Sequence, residues 1–417
     1  MLKTTILFLI ALPVMRAQSG LAGEWKFAVI EFGRPNYSRV SVKSEDGKLT
    51  AQVMGRAVEF IVTGREIVLK AEGASGKGVI EGGKMSGEVT LGSRTVAWTA
   101  ERIPPRPAQP RTHDFTPTQF ELYFSPAPKP VLHIHPGDTV RTWSVDAGGV
   151  DPQGQRRSQG GNPQTGPFYV EGAIPGDTLV IRLNRVRLNR DWAGSGNQIM
   201  RNALDPWSIA DLKWQPGVPG RWKLDREKGI AFLEKPSDKL KNFSVPLAPM
   251  LGCVGVAPQG DSSIRTTDSG RFGGNMDYNQ IREGTTVYLP VYHPGALLFL
   301  GDGHAAQGDG ELTGDALETS MDFEFTVDVL PVRSLGHPLA ENSEYMISIG
   351  ISGSLQDALQ MATSGLMRWL DREYKLTPSE AAMVLGFAIR YDVVDLVGTQ
   401  VSIAAKVPKS ALAKLAK

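Results

Sequence analysis

Most of this chain consists of short runs of alternating apolar and polar residues that end at glycine-containing turns. In residues 23–101 such runs include Val40–Val42, Val58–Val62 and Thr95–Trp98, with turn pairs such as Gly82-Gly83 between them. Alternation with a period of two predicts half-buried antiparallel strands, and tight turns join such strands into hairpins. We therefore predict a small antiparallel β-sandwich or barrel in residues 23–101. Because this module lacks a cluster of candidate catalytic residues, we interpret it as a structural or binding appendage.

A proline-rich linker follows in residues 102–111, where four prolines within eight residues favour an extended spacer over a sheet. Residues 112–417 return to short strand-like runs, and convincing helical periodicity appears only in Leu355–Glu373 and Pro378–Tyr391. Thr377, Pro378 and Glu380 have the spacing of a helix start. The predicted fold class is mainly β with an α+β C-terminal part, and the β-sandwich-rich core is preceded by the small β module.

The first 17 residues have the composition of a signal peptide, with Lys3 before an apolar run of roughly ten residues. Cleavage after Ala17 or after Ala22 would export a soluble mature chain, either periplasmic or secreted, without a membrane segment. With 45 basic and 44 acidic residues, the chain has no net field to attract nucleic acid. The single cysteine, Cys253, excludes an internal disulfide, and its apolar neighbours indicate a buried core thiol rather than a nucleophile.

The densest group of polar side chains follows an apolar strand, in residues 301–311. Three carboxylates, one imidazole and one carboxamide occur here among four glycines: Asp302, His304, Gln307, Asp309 and Glu311. Glycine lets the backbone turn sharply, so these side chains can surround one point. Carboxylates with one histidine suit zinc, or calcium or magnesium if oxygen ligands dominate. The alternative is a pair of Asp-Gly turns with solvated side chains.

Further candidate groups lie beside glycine elsewhere in the chain. Glu171 precedes Gly172 at the end of an apolar run, where partial desolvation would suit a general base. Asp146 and Asp277 are carboxylates in glycine-rich segments, with turn aspartates as the alternative interpretation. His133 and His135 alternate on one predicted strand and form a reserve pair of metal ligands, or else half-exposed strand histidines.

Several of these segments together resemble the acetamidase/formamidase family. The resemblance is carried by residues 161–173, 252–258, 273–277, 295–311, 317–319 and 376–382. It implies a β-rich fold and metal-assisted hydrolysis of small linear carboxamides to ammonia and a carboxylic acid. It also implies homo-oligomers, which we expect to be dimers, and a divalent metal cofactor, for which zinc is favoured over calcium. The module at residues 23–101 lies outside the family pattern and suggests a specialised exported branch.

The resemblance also implies roles for individual residues. The metal ligands would be Asp146, Asp302, His304 and Glu311. The catalytic residues would be Glu171, Asn275 and Gln307, and the substrate-binding residues would be Asn162, Phe272 and Asp277. Phe272 departs from the family pattern, which commonly has a histidine at this place. The alternatives are a hydrolase of esters or lactams and a non-catalytic amide- or sugar-binding protein on the same fold.

Overall fold

The computed structural model describes residues 20–45, 48–53, 56–213, 220–331 and 334–415, so the predicted signal peptide lies outside the described residues. The chain forms two compact units. The first comprises the described residues up to Arg106 together with Ile174–Gly176, and the second comprises the rest. The division between Arg106 and Pro107 falls within the predicted proline-rich linker.

The first unit is a closed antiparallel barrel whose strands pair in sequence order, with the last strand returning to the first. Its strands are β1 (Gly23–Glu31), β2 (Arg34–Glu45), β3 (Lys48–Val53), β4 (Arg56–Thr63), β5 (Glu66–Ala71), β6 (Ala74–Glu81), β7 (Lys84–Leu91) and β8 (Arg94–Arg102). Side chains such as Trp25, Phe60, Ile67 and Trp98 are buried in one cluster. Closure removes the free strand edges that an open sheet would expose.

The second unit contains a nine-stranded sheet among its described residues, in the order β29-β30-β28-β27-β23-β14-β26-β12-β9. Its strands are β9 (Thr112–Asp114), β12 (Thr139–Ser144), β14 (Thr178–Leu188), β23 (Thr286–Pro290), β26 (Met321–Leu330), β27 (Leu339–Glu341), β28 (Tyr345–Ser352), β29 (Arg390–Asp395) and β30 (Val401–Pro408). Strand β14 pairs with both β23 and β26, which places the longest apolar strands at the middle of the sheet.

An eleven-stranded sheet of described residues carries the residues of interest, along the path β18-β17-β16-β15-β25-β24-β19-β22-β21, with β13 paired to β24 and β11 paired to β13. Its strands are β11 (Leu132–Ile134), β13 (Gln164–Val170), β15 (Trp192–Ser195), β16 (Gly220–Asp225), β17 (Ile230–Leu233), β18 (Ser244–Pro246), β19 (Met250–Val256), β21 (Ser269–Gly270), β22 (Gly273–Asn275), β24 (Leu298–His304) and β25 (Glu318–Thr319). A small sheet pairs β10 (Tyr123–Phe124) with β20 (Ile264–Arg265).

The two large sheets share one hydrophobic core. Phe168 of β13 meets Phe325 of β26 edge to face, with ring centroids 5.3 Å apart, and Val254 of β19 belongs to the same cluster as Ile181 of β14. Such face-to-face packing of sheets defines a β-sandwich. The predicted fold class, mainly β with helices near the C-terminus, is therefore confirmed.

The described helices are the short α1 (Pro206–Asp211), α2 (Leu355–Tyr374), α3 (Pro378–Ala388) and α4 (Lys409–Leu412), with a 3₁₀ turn at Arg201–Ala203. Helix α2 buries Ala362, Leu366 and Trp369 in a cluster with Ile403 of β30. Helix α3 begins with a capping box between Thr377 and Glu380, as its sequence predicts. None of the described helices has the length and apolarity that a membrane span requires.

One helix boundary differs from the sequence prediction. The periodicity favours a second helix up to Tyr391, but α3 ends at Ala388 and Arg390 begins strand β29. Residues 390–395 pair with β30, so sheet hydrogen bonds replace the last helical turn. The difference matters because Asp395, at the end of β29, lines the cavity described below.

Candidate active site

The candidate site is built on neighbouring strands in the middle of the eleven-stranded sheet. Asp302 and His304 lie at the end of β24, and Glu318 lies directly opposite His304 on β25. Asp277 follows β22, and Glu311 lies in the loop between β24 and β25. Strand pairing thus brings together four carboxylates and one imidazole that are up to 41 positions apart in the sequence, counting from Asp277 to Glu318.

Three of the four carboxylates converge on one imidazole nitrogen. His304 Nε2 lies 3.2 Å from Glu318 Oε1, 3.5 Å from Asp302 Oδ2 and 3.8 Å from Asp277 Oδ1. Glu311 joins Asp277 and His304 in one group whose ligand atoms all lie within 4.8 Å of one another, and Asp302, His304 and Glu318 form a second such group. His304, Asp277 and Asp302 are each about 1% exposed.

The backbone at this site is held in an uncommon conformation. Among the described residues, eight non-glycine residues have a positive φ, and four of them belong to this site. They are Asn162 (55°), Asp277 (45°), Asp302 (61°) and Glu311 (46°). Left-handed backbone is unfavourable for residues with a Cβ, and it persists where the surrounding structure enforces it, most often at functional sites.

Glycine at position 252 leaves room for the cluster. A Cβ atom on Gly252 of β19 would lie 2.5 Å from Asp277 Oδ1, 2.6 Å from Asp302 Oδ2 and 2.9 Å from His304 Cε1. Two carboxylate oxygens and the imidazole therefore point at a space beside the Gly252 backbone that a methyl group would fill.

The carboxylates of the cluster lack the donors that buried anions need. Asp277 Oδ1, Asp302 Oδ1 and Glu318 Oε2 are buried and accept no hydrogen bond from any described residue. Burial raises the pKa of Glu311 to about 8 and that of Glu318 to about 7, and it raises the pKa of Asp277 well above its usual range. Unpaired buried charge is costly, so this arrangement favours a bound cation.

Protonation of His304 reflects a balance of opposing effects. Burial acts to lower the pKa of His304, but the adjacent carboxylates of Glu318 and Asp302 outweigh it and raise the pKa well above the usual value. The carboxylates therefore stabilise positive charge beside His304 Nε2, either as a proton on the imidazole or as a bound cation.

Gln307 fixes the orientation of the imidazole. Its Nε2 donates to the backbone carbonyl of Asp277, which leaves Oε1 to accept from His304 Nδ1 at 2.9 Å. This arrangement directs the hydrogen to Nδ1 and turns Nε2 toward the carboxylates. A metal-ligating histidine is typically anchored in this way through its other ring nitrogen. Gln307, predicted as catalytic, is placed by the structure as a positioning residue.

Two asparagines connect the carboxylates. Asn162 Nδ2 donates to Asp302 Oδ2 and to Asn275 Oδ1, each at 2.9 Å, and Asn275 Nδ2 donates to Asp277 Oδ2. Asn162 thus uses both amide hydrogens, whereas Asn275 keeps one for a ligand. Both residues line the cavity, as their predicted roles in substrate and water handling require.

Cys253 borders the cluster without supplying a nucleophile. Its thiol donates to Asn275 Oδ1 at 2.8 Å and lies 3.7 Å from Asp302 Oδ2. Burial, with Asp302 and Asp277 nearby, raises the pKa of the thiol well above its usual value. The protonated, buried state agrees with the sequence prediction of a core thiol.

Asp146 is not placed as a metal ligand, contrary to the prediction. Its Oδ2 accepts from Arg190 at 2.6 Å in a buried ion pair, and its Oδ1 accepts from the backbone N–H of Val150. Both oxygens are therefore occupied, although Asp146 lines the cavity. The sequence could not reveal this because Arg190 lies 44 positions away on the chain.

Two other predicted residues lie away from the cluster. Glu171 follows β13 at the end opposite to Gln164, roughly 20 Å away at ~3.3 Å per strand residue. There it accepts from His133 Nδ1 at 2.7 Å, on the exposed side of the sheet. Phe272 is a core residue that packs on Phe124, with centroids 5.3 Å apart. The predictions of Glu171 as base and Phe272 as substrate contact are corrected accordingly.

Sequence reasoning did not assign two members of the cluster to the metal. Glu318 had no predicted role, and Asp277 was assigned to substrate rather than to the carboxylate group. The register that sets His304 opposite Glu318 depends on the pairing of β24 with β25. The sequence signal for Asp277 was its place after two glycines and an asparagine, which does not distinguish a metal ligand from a substrate contact.

The site opens into a cavity of about 740 Å³. Asp277, Glu311 and Glu318 reach it from the cluster, and Asn162 and Asn275 line it beside them. The residues that could hold a metal ion are therefore Asp277, Asp302, His304, Glu311 and Glu318. A buried set of one nitrogen and several oxygens suits a divalent cation.

Comparison with known proteins finds similarity over the part of the chain that carries this site. Residues 247–335, which contain the cluster, match the Acetamidase/Formamidase family. A protein of Schizosaccharomyces pombe assigned as a formamidase is 30% identical over 36% of this chain and 47% of its own length. The formamidase of Methylophilus methylotrophus is 45% identical over 45% of this chain and 59% of its own length. The chain thus spans about half the length of these relatives.

Similarity in structure extends further along the chain. The crystal structure of an acetamidase from Yersinia enterocolitica superposes with a TM-score of 0.62 and 28% sequence identity. It covers 73% of this chain and 94% of the acetamidase.

Proposed function

We propose that the chain is a member of the acetamidase/formamidase family, which it resembles, and that it hydrolyses small carboxamides to ammonia and a carboxylic acid with the help of a divalent metal ion. The observation that carries this proposal is the convergence of buried carboxylates and one oriented imidazole beside Gly252. Buried oxygens without donors and a space that a Cβ would fill both fit a cation.

We assign the metal to Asp277, Asp302, His304 and Glu318. The oxygens of these three carboxylates lie 3.2–3.8 Å from His304 Nε2. Zinc is the proposed ion because an imidazole nitrogen and carboxylate oxygens both bind it well, and calcium is the alternative that a higher share of oxygen would favour. A divalent ion held here would act as a Lewis acid toward the amide carbonyl and increase the acidity of water.

Glu311 is the proposed proton carrier in place of Glu171. It lines the cavity beside the cluster, and burial raises the pKa of its carboxyl group above the usual value, which makes the carboxylate a stronger base. In this scheme Glu311 takes a proton from water as the oxygen bonds to the amide carbon. It returns that proton to nitrogen as the C–N bond breaks, so ammonia and the acid leave.

The remaining residues orient the reactants. Asn275 offers its free amide hydrogen to the carbonyl oxygen, where negative charge develops in the transition state. One such donor is typically worth about 3 kcal/mol of transition-state stabilisation. Asn162 and Gln307 hold Asp302 and His304 in place.

The test is metal content and ammonia release on the purified chain. We expect stoichiometric zinc by elemental analysis, release of ammonia from short aliphatic amides, loss of activity on chelation, and recovery on return of zinc. His304→Ala should lose the metal, and Glu311→Gln should keep the metal but lose turnover. Asp238→Asn, an exposed change outside the cavity, is the matched control.

Other outcomes would select among the alternatives. Stoichiometric calcium with full activity would replace zinc in the assignment. Acid release from matched esters or lactams, without ammonia release from amides, would change the bond that is cleaved. Absence of metal together with no turnover on any amide would refute the proposal.

We also propose that the chain is exported and forms a homodimer. The apolar run after Lys3 supports export, and N-terminal sequencing of the protein from fractionated cells would test it. The resemblance to the family supports a dimer, and helix α3 exposes Met383 and Phe387, which are 67% and 87% exposed, to a second copy. Light scattering after size exclusion would show a single monomer mass if this is wrong.

A further inference from the structure

Cys253 is the only cysteine in the chain, and its strand β19 lies between two strands that carry residues of the site. The cross-strand neighbours of Cys253 are Asn275 of β22 and Gly301 of β24. Side chains directly opposite each other in an antiparallel pair lie on the same face and within reach of each other. The register of β19 and β22 therefore places the thiol beside the carboxamide of Asn275, and Gly301 has no side chain that would compete for it.

The surroundings of the sulfur make it a hydrogen-bond donor. Cys253 is fully buried, and its hydrogen-bonding neighbours among the described residues are all oxygen atoms. Asn275 Oδ1 lies at 2.8 Å, the backbone carbonyl of Thr266 at 3.3 Å and Asp302 Oδ2 at 3.7 Å. A thiol has a single hydrogen, so its main hydrogen bond goes to the nearest of these oxygens, Asn275 Oδ1.

A carboxamide has two orientations that exchange its oxygen and its NH₂ group, and the neighbours of Asn275 select one of them. Asn275 Nδ2 donates to Asp277 Oδ2, and a carboxylate that holds a metal ion can only accept. Asn162 Nδ2 and the Cys253 thiol both donate to Asn275 Oδ1. In the reversed orientation, two oxygens would face each other at Asp277, and the NH₂ group would face two donors. Cys253 is therefore one of three groups that fix this carboxamide.

The orientation of Asn275 decides what it offers to the cavity. Its NH₂ group has two hydrogens, and Asp277 takes one of them, so the other is directed to a ligand in the cavity that Asn275 lines. A donor to a developing oxyanion is most effective when it is already held in place before the reaction. Rotation of the carboxamide would move this hydrogen away from the carbonyl oxygen of a bound amide.

We propose that Cys253 is a positioning residue, whose S–H hydrogen bond to Asn275 Oδ1 keeps the free amide hydrogen of Asn275 directed at the carbonyl oxygen of the substrate. This inference rests on the proposed function, in which Asn275 stabilises the transition state. Cys253 acts from behind Asn275, since it is fully buried and the described residues that line the cavity do not include it. An apolar side chain of similar size would fill the same space but would leave Asn275 Oδ1 with one donor fewer.

The first test is kinetic and uses the full zinc-loaded chain with short aliphatic amides. Cys253→Ala should lower kcat for ammonia release about three- to tenfold, the effect of one lost hydrogen bond, while KM and zinc content stay within about twofold. Cys253→Ser restores a donor and should recover most of kcat. Val256→Ala is the matched control, because it removes buried volume at the far end of the same strand, and it should leave kcat unchanged.

A double-mutant cycle separates positioning from packing. If Cys253 acts through Asn275, removing the thiol in the Asn275→Ala background should change kcat by less than about twofold. A role in packing alone would lower kcat by the same factor in both backgrounds. Equal losses in the two backgrounds, or an unchanged kcat in the single variant Cys253→Ala, would overturn this inference and leave the proposed function standing.

A second measurement needs no turnover and no change at Cys253. Because the chain has one cysteine, its S–H stretching band in the infrared reports on Cys253 alone. Loss of the acceptor in Asn275→Ala should move this band to higher frequency, since a hydrogen bond weakens the S–H bond. A band at the same frequency in both proteins would overturn the inference even if activity fell. No ammonia from any amide with the unmodified chain would instead overturn the proposed function and this role of Cys253 with it.

Discussion

Replacing Gly252 by alanine should remove the metal ion while leaving the rest of the fold in place. The added methyl carbon would lie 2.5 Å from Asp277 Oδ1 and 2.6 Å from Asp302 Oδ2. Zinc lies ~2.0–2.2 Å from carboxylate oxygens, so the methyl group competes for the space in which the ion must sit. Gly252 has no positive φ that alanine would strain.

The size of the effect follows from this overlap. Changes to residues that only orient metal ligands reduce metal affinity by about 10–100-fold. A methyl group that pushes two ligand oxygens apart should do more, so we expect a loss of affinity greater than about 100-fold. Overpacking of this kind typically costs about 1–3 kcal/mol in the free energy of unfolding, which a well-folded chain tolerates.

The assay is a titration of the metal-free protein with zinc, followed by elemental analysis and ammonia release. Gly353→Ala is the matched control, because a Cβ there has no atom within 4 Å and the residue has no positive φ. Circular dichroism would show that both variants fold. If Gly252→Ala binds stoichiometric zinc with unchanged affinity, the reasoning that places the ion beside Gly252 is wrong.

Three further outcomes are expected. Gln307→Ala should lower zinc affinity by about 10–100-fold without unfolding the chain, measured by competition with a chelating dye, because His304 loses the partner of its Nδ1. Glu171→Gln should change kcat/KM less than about threefold, and a loss of a hundredfold would restore it as the base. The metal-free protein should lose stability as pH rises from about 4.5 to about 8. Folding raises the pKa values of Glu311 and Glu318. The native state therefore binds more protons than the unfolded state in this pH range, and raising the pH favours unfolding. Each group changes the free energy of unfolding by at most about 1.4 kcal/mol per pH unit. Thermal melts at several pH values would measure this change, and a melting temperature that does not vary with pH would contradict the prediction.

The sequence was informative where structure is local. The alternating runs predict the strands, and the Thr377, Pro378 and Glu380 spacing predicts the start of α3 because capping depends on residues three positions apart. The loop of residues 301–311 is predictable as a candidate site for the same reason, since His304 contacts both Asp302 and Gln307, which lie within a few residues of it.

What the sequence could not supply is the pairing of distant segments. Asp146 has the side chain of a metal ligand, but its carboxylate is paired with Arg190. Glu171 has the side chain of a general base, but it follows β13 at the end away from the cluster, where it pairs with His133. Conversely, Glu318 looks like any strand glutamate until β25 pairs with β24 and sets it opposite His304. Residue chemistry narrows the candidates, whereas strand register decides which of them meet. A metal site on a sheet is therefore predicted from sequence as a set of possible ligands, and the fold selects among them.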